Sequence, residues 1–211
     1  MFEAVDEVAD ALTANYNVAP TDPAPVVWTS GHGRVLSLGH WGFLPPWSKD
    51  RRAAARMINA RAETVATSRA YGDAFAKRRA LIPADGWYEW RREGGSKQAY
   101  FMTPADGSVL AFAGIWTRWG PERLLTFSVL TTAATERLAT VHDRMPLLLP
   151  PSMWDEWLTA PPHPALLCPP PASWLAGLEI RPVGPAVGDV RNNGSDLIRP
   201  VTPNVSTETL F

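Results

Sequence analysis

Strand-like alternation of apolar and polar positions dominates the chain, and helical spacing recurs only in short stretches. Residues 26–28 and 34–41 flank Ser30-Gly31-His32-Gly33, which predicts a β-hairpin. Residues 68–77 carry Tyr71, Phe75 and neighbouring alanines at helical spacing and predict a short helix. Residues 79–92 then read as a strand, Gly94-Gly95 as a turn, and 98–103 as the antiparallel partner. After the turn Ala105-Asp106-Gly107 come apolar strands at 109–116 and 126–130, one or two helical turns at 135–140, and a buried strand at 145–149. Proline near the start of 151–158, with Trp154, Trp157 and Leu158 on one face, predicts a helix. The proline-rich stretch 160–171 cannot continue it and reads as a surface connector. A last strand is expected at 179–183. The pattern is α+β: one domain over residues 1–200, mostly antiparallel with a barrel-like β core and short peripheral helices, followed by a loose tail at 201–211.

Composition narrows the class. At 211 residues with 45% hydrophobic and 19% charged content, the chain is expected to bury a sizeable core. Its single cysteine, Cys168, forms neither an internal disulfide nor a multi-cysteine zinc site, which rules out a stapled secreted mini-domain; no metal or cofactor is expected. No apolar run approaches the roughly 20 residues that span a bilayer, and the opening Met1-Phe2-Glu3-Ala4-Val5-Asp6-Glu7 is acidic where a targeting peptide is basic. A cytoplasmic protein with no membrane partner is therefore expected. The net charge of -1 conceals an asymmetry. From Arg34 to Arg92 there are twelve basic and five acidic residues, a local excess of seven. Such an excess marks either a polyanion-facing surface or a set of solvated faces. Ten Trp and 21 Pro add stiff loops and flat aromatic surface.

Four polar segments carry candidate chemistry. Asn15-Tyr16-Asn17-Val18-Ala19-Pro20-Thr21 contains rigid turn formers and also reads as a plain loop. In His40-Trp41-Gly42-Phe43-Leu44-Pro45-Pro46-Trp47-Ser48, two Trp on a stiff loop form either a core corner or an exposed pair able to stack on bases. If Ile58-Asn59-Ala60-Arg61-Ala62-Glu63 is extended, Asn59, Arg61 and Glu63 share one face. That face is a donor-rich wall for sugar and phosphate oxygens, or the site of a local salt bridge with Glu63. The fourth is a pair, Pro83-Ala84-Asp85-Gly86-Trp87-Tyr88-Glu89-Trp90 and Val141-His142-Asp143-Arg144-Met145-Pro146. A carboxyl set between large aromatics, as at Glu89, is desolvated and suited to proton transfer near neutral pH. His142 lies in a dense polar cluster and can shuttle a proton; the other reading of such a lone Glu or His is purely structural.

Together these segments resemble the SOS-response-associated peptidase (SRAP) family, the abasic-site processing proteins. The resemblance rests on Asn17-Val18-Ala19-Pro20, Trp41-Gly42-Phe43-Leu44-Pro45, Asn59-Ala60-Arg61-Ala62-Glu63, Gly86-Trp87-Tyr88-Glu89-Trp90 and His142-Asp143-Arg144-Met145-Pro146, in that order. Val190-Arg191-Asn192-Asn193-Gly194 with Leu197-Ile198 resembles the family's C-terminal segment. It implies a barrel-like α+β domain with a cationic groove for single-stranded DNA containing abasic sites, acting as a monomer, associated with the nucleoid when bound. It implies that Asn59, Glu89 and His142 are catalytic: Asn59 orients the adduct, Glu89 is general acid/base, and His142 handles protons at the sugar. Asn17, Pro20, Trp41, Trp47, Arg61 and Arg144 are implied to contact DNA, Arg61 at a flanking phosphate. In the family, a cysteine directly after the initiator Met forms a thiazolidine with the ring-opened sugar aldehyde through its amine and thiolate.

This chain opens Met1-Phe2-Glu3-Ala4 where the family opens Met-Cys-Gly-Arg, and Phe2 to Asp6 resembles a point inside the family's first helix. Two expectations follow: a start placed downstream of the true one, or a natural variant without the crosslinking residue. The function classes are then an abasic-site crosslinking or lyase enzyme, a non-covalent reader of single-stranded or abasic DNA, and, from the family's name, a peptidase. No Gly-x-Ser-x-Gly or His-Glu-x-x-His supports the last.

Overall fold

The computed structural model describes residues 1–8, 12–93 and 96–202. The predicted hairpin is β2 (Pro23–Ser30) and β3 (Gly33–Trp41), paired from Ser30↔Gly33 to Pro23↔His40. Along its outer edge runs β1 (Ala4–Asp6), parallel to β3. Residues 4–6 are thus a strand, in place of the helix that the family resemblance implied. Ala4, Val5 and Asp6 fall opposite Arg34, Val35 and Leu36, and the ladder supplies the backbone partners that a helix would have found internally.

The single strand expected over 79–92 is two. β5 (Arg79–Ala84) lies between β2 and β8 (Leu110–Trp119) in the large sheet, and β6 (Trp87–Glu93) belongs to a second sheet. The break falls at Gly86, where a Cβ would sit 2.3 Å from the Met102 carbonyl oxygen and 2.5 Å from the Phe101 ring. Only glycine lets the chain cross from sheet to sheet that close to its neighbour. β7 (Ser96–Pro104) returns antiparallel to β6, and β11 (Leu178–Val183) completes the small sheet in the order β11-β7-β6. The Gly94-Gly95 turn lies outside the described residues, as do 203–211 of the expected tail.

β8 and β9 (Leu124–Ala133) form the longest hairpin, and β9 is the hub of the large sheet. On one edge it pairs with β8 and then β10 (Arg144–Pro146). On the other it meets β3 at His40↔Thr126 and Trp41↔Phe127, and then β4 (Asn59–Arg61), both parallel. The large sheet therefore curls until β3 touches β9, but only along that two-residue seam. It is a barrel-like sheet without a full barrel's continuous ladder.

The buried strand expected at 145–149 keeps its ladder only to Pro146. Beyond it, Leu147 and Leu149 thread between neighbours through the bonds Leu147 N to Leu130 O and Leu149 N to Ala111 O. Pro146 and Pro150, with no N–H to give, bracket this stretch and keep the pairing local.

Helices are few and short. The turn expected at 68–77 is α-helical only over α2 (Gly72–Lys77), because Ser68 Oγ caps Ala70 and Tyr71 in a preceding turn. A one-turn helix, α1 (Ala62–Val65), follows β4, and α3 (Trp154–Thr159) follows a 3₁₀ turn at Pro151–Met153. The turns at 135–140 are a 3₁₀ helix, Glu136–Thr140. The proline-rich connector contains a 3₁₀ turn, Pro164–Leu167, before α4 (Ala172–Leu175). Among the described residues no helix is long and apolar enough to cross a membrane.

Apolar side chains pack on both faces of the large sheet. One cluster joins it to the small sheet through Tyr100, Met102, Phe112 and Phe127. The other seats α2 and α3 through Phe75, Trp154 and Trp157. Trp157 is fully buried with its indole N–H on the Ala80 carbonyl (2.8 Å), so burial leaves no orphan donor. Arg79, also buried, donates to the carbonyls of Phe75, Trp157 and Ala160, gathering the C-terminal ends of α2 and α3.

Candidate nucleic-acid interface

The site forms where the two sheets meet. Glu89 stands on β6 opposite Tyr100, on the face turned towards the first apolar cluster. Its sequence neighbours Tyr88 and Trp90 point to the other face, against Phe101, Val183 and Ile198. The aromatics flanking it in sequence therefore do not enclose its carboxyl, although Trp90 also borders the cleft. What faces Glu89 is His142, reached from the 3₁₀ turn that ends at Thr140. Glu89 Oε2 lies 4.0 Å from His142 Nδ1, and the side chains are 25% and 42% exposed. The two are neither sealed in nor apart. They line an open cleft of about 360 Å³ with Val141, Trp90, Arg92 and Lys97. Lys97 stacks its ammonium over the Trp90 ring at 4.7 Å.

The hydrogen bonds of His142 bear on proton handling. The Arg144 backbone N–H donates to Nδ1 (3.0 Å), which assigns the neutral ring's proton to Nε2. Asp143 Oδ1 lies 3.2 Å from the same Nδ1. A protonated ring has carboxylates waiting for its Nδ1–H, and a neutral ring has the Arg144 amide. Both charge states of His142 thus have a partner, as a proton shuttle requires.

Arg144 ties this pair to the segment around Asn59 and Arg61. Its guanidinium grips both Glu63 oxygens (2.7 and 3.0 Å) and the Thr131 carbonyl (2.6 Å). Thr131 pairs with Arg61 of β4 on one edge of β9 and with Pro146 of β10 on the other. Ala60 is buried between exposed Asn59 and Arg61, so those two share the outward face as the alternation predicted. Glu63 is not on the strand; it falls in α1 and pairs with Arg144, so the local Arg61–Glu63 bridge does not form. The Arg61 guanidinium makes no hydrogen bond or ion pair among the described residues.

The carboxyl of Glu63 is held below its ordinary range, chiefly by the Arg144 hydrogen bonds, against an opposing push from burial. A depressed folded-state value means that the pairing contributes fully above the ordinary carboxylate range and is lost as pH falls through the lowered one. The Glu63–Arg144 clamp is thus expected to stay closed in mild acid and to open only below the ordinary carboxylate range. An NMR titration of the Glu63 carboxyl checks this, and a midpoint at or above that range counts against it.

The remaining sequence candidates part company. Trp47 is 55% exposed, with Arg69 above its ring at 5.9 Å. Trp41 is half-buried against the core, and its indole N–H donates to the Ile58 carbonyl (2.9 Å), fixing the entry to β4. The two do not form an exposed pair. Asn17 is buried, and its amide nitrogen lies within hydrogen-bond range of the carbonyls of Val187, Asp189 and Asn192. It fastens the C-terminal segment and is largely withdrawn from solvent. Tyr88, with burial pushing its phenol up to about 12, donates to the Tyr16 carbonyl and holds the same loop. Pro20 is exposed beside Thr21.

The basic excess also divides. Lys77 and Arg78 share Asp73, Arg34 meets Asp155, and Arg79 is buried on carbonyls. Lys49, Arg51, Arg52, Arg56, Arg61 and Arg92 have no carboxylate partner among the described residues. Sequence reasoning missed Lys97 and the Glu63–Arg144 clamp. The Arg92↔Lys97 register of the β6–β7 hairpin carries the signal for the first; the second joins residues 81 apart and has no local trace.

A carboxyl and an imidazole in one open cleft, linked through Arg144 to the strand of Asn59 and Arg61, mark the candidate site of a small α+β protein. The chain belongs to the SOS response associated peptidase (SRAP) family, whose family model matches residues 1–190. It is 36% identical over 198 residues to the abasic site processing protein YedK of Escherichia coli, covering 88% of this chain and 84% of that one. To the abasic site processing protein YoaM of Bacillus subtilis it is 33% identical over 193 residues, covering 87% and 84%. A crystal structure of a protein from Bordetella bronchiseptica superposes with a TM-score of 0.74 at 26% identity, covering 87% of this chain and 92% of that one.

Proposed function

We propose that the chain recognises abasic sites in single-stranded DNA, seating the damaged sugar against Glu89 and His142. The observation that carries this reading is the 4.0 Å approach of those two side chains in an open cleft wired through Arg144 to the strand of Asn59 and Arg61. The ring-opened sugar is an aldehyde. Attack by an amine needs a proton delivered to the carbonyl oxygen and another removed from nitrogen, which an adjacent carboxyl and imidazole supply. Asn59 offers an amide to the sugar hydroxyls, and Arg61 a guanidinium to a flanking phosphate.

The covalent step, thiazolidine formation, requires an amine and a thiol on adjacent atoms. Cys168 sits exposed in the connector and has no such amine. The Phe2 carbonyl accepts from Arg34 (2.8 Å) and the Phe2 ring stacks on Trp154, contacts that do not line the cleft. The lack of an adjacent amine at Cys168 favours a second reading in which the chain holds the lesion without a bond.

One denaturing gel separates the two readings. Abasic single-stranded oligonucleotide is incubated with the chain and with a version beginning Met-Cys-Gly-Arg. A heat-resistant shifted band for the second alone is the expected result for the covalent reading. Bands for neither, with binding retained, leave the non-covalent one. Absence of binding by both overturns the proposal. Arg61→Ala is expected to weaken binding about tenfold and to lower the log–log salt slope by about 0.7, one single-strand phosphate contact. An unchanged slope removes Arg61 from the interface.

A further inference from the structure

A second opening lies on another part of the molecule and shares no residue with the Glu89–His142 cleft. It measures about 290 Å³ and is rimmed by Thr21, His40, Arg51 and Arg52 over an apolar floor of Leu44 and Leu124. The chain builds it with some care. Gly42, at φ +146, brings the loop so close to Ala54 that a Cβ would lie 2.7 Å from the Ala54 carbonyl, and this pins the Arg51–Arg56 turn against β3. Asp50 Oδ1 accepts from the Arg52 amide (2.8 Å) and starts that turn, so the two arginines stand on an ordered support. His40 Nδ1 lies 3.1 Å from the Thr21 carbonyl, which can only accept, so the ring is oriented with Nε2 left over. Thr21 itself holds φ +76, a strained conformation for a β-branched residue, while its amide donates to the Trp41 carbonyl (2.7 Å).

Two guanidiniums without a carboxylate partner among the described residues, an oriented imidazole and a hydroxyl around one small opening form an anion seat with the chemistry of a phosphoryl group. We infer that this pocket takes a backbone phosphate farther along the DNA strand that carries the lesion. The inference rests on the proposed reading and extends it. Trp47 is exposed on the same loop, four residues before Arg51, so a strand stacked on that ring passes next to the arginines. Trp41 follows His40 and reaches Ile58, mechanically joining the seat to the strand of Asn59 and Arg61.

The test uses the full chain and a non-reactive abasic analogue in two oligonucleotides, one short and one extended on both sides. With the extended strand, the double variant R51A/R52A is expected to bind about tenfold more weakly. Its salt slope should be smaller by about 0.7 to 1.4, one or two phosphate contacts. With the short strand it should match the unaltered protein. Equal behaviour of R51A/R52A and the unaltered protein on the extended strand overturns the seat. If Arg61→Ala still weakens binding in that case, the proposed function stands without it. In a parallel arm, inorganic phosphate and free deoxynucleoside monophosphate are titrated while the His40 ring resonance is followed. A phosphate shift lost in R51A/R52A supports the seat independently of DNA binding. Tight binding of the free nucleotide with no R51A/R52A effect on strands overturns the assignment to the DNA backbone.

Discussion

Changing Glu89 to Gln in a version beginning Met-Cys-Gly-Arg is expected to slow adduct formation on abasic single-stranded DNA at least a hundredfold, the usual worth of a positioned acid–base group. DNA affinity should be unchanged. Gln preserves the shape and the acceptor that Glu89 Oε1 offers the Trp90 amide (3.1 Å), but it neither gives nor takes a proton at the sugar. His142 cannot replace it. Its Nδ1 is occupied by the Arg144 amide in the neutral ring, and the carboxylate that remains beside it, Asp143, is turned to solvent and does not line the cleft. Single-turnover rates on a denaturing gel, with anisotropy on a non-reactive analogue, separate the two effects. A rate within a factor of about three of the parent removes Glu89 from proton transfer.

The second large effect is on stability. Arg79→Met is expected to cost about 3–5 kcal/mol, which for a chain of this size lowers the midpoint of thermal unfolding by roughly 10 °C. Methionine fills the space of the aliphatic stem but leaves the carbonyls of Phe75, Trp157 and Ala160 buried without the donors that Nη1, Nε and Nη2 now supply. The guanidinium also lies 5.8 Å from the Phe75 ring and 5.7 Å from the Trp157 ring. Burial pushes its pKa down, but a guanidinium starts so high that it remains charged. Arg79→Lys should recover only part of the loss, since one ammonium cannot span three carbonyls in a fork. Chemical denaturation checks both, and a loss below about 1 kcal/mol for Arg79→Met refutes this account of how α2 and α3 are held.

What the sequence revealed and what it hid follow one rule. Features set by neighbours along the chain were legible: the Ser30–Gly33 hairpin, the alternation that exposes Asn59 and Arg61, the proline-rich stretch before which α3 stops. Features set by contacts across the fold were not. Nothing near Gly86 announces that Met102 and Phe101 crowd it, so one long strand was expected where two sheets divide the work. Trp41 and Trp47 look alike on their loop, and only the distant Ile58 carbonyl decides which one is turned inward. Asn17 reads as a candidate ligand group until the C-terminal carbonyls that absorb its amide come into view. The Arg61–Glu63 pair looked local because the real partner, Arg144, is 81 residues from Glu63. Family resemblance located the motifs, while geometry sorted those that face the cleft from those that build it.

Glu89 and His142 straddle a boundary: Glu89 rides on the small sheet, whereas His142 stands two residues before a strand of the large one. Their spacing is therefore a property of how the two halves nest, and no single turn or hydrogen bond maintains it. Loosening that junction would part Glu89 from His142 while each sheet kept its own ladders, so their separation on heating is no measure of how much of the chain has melted.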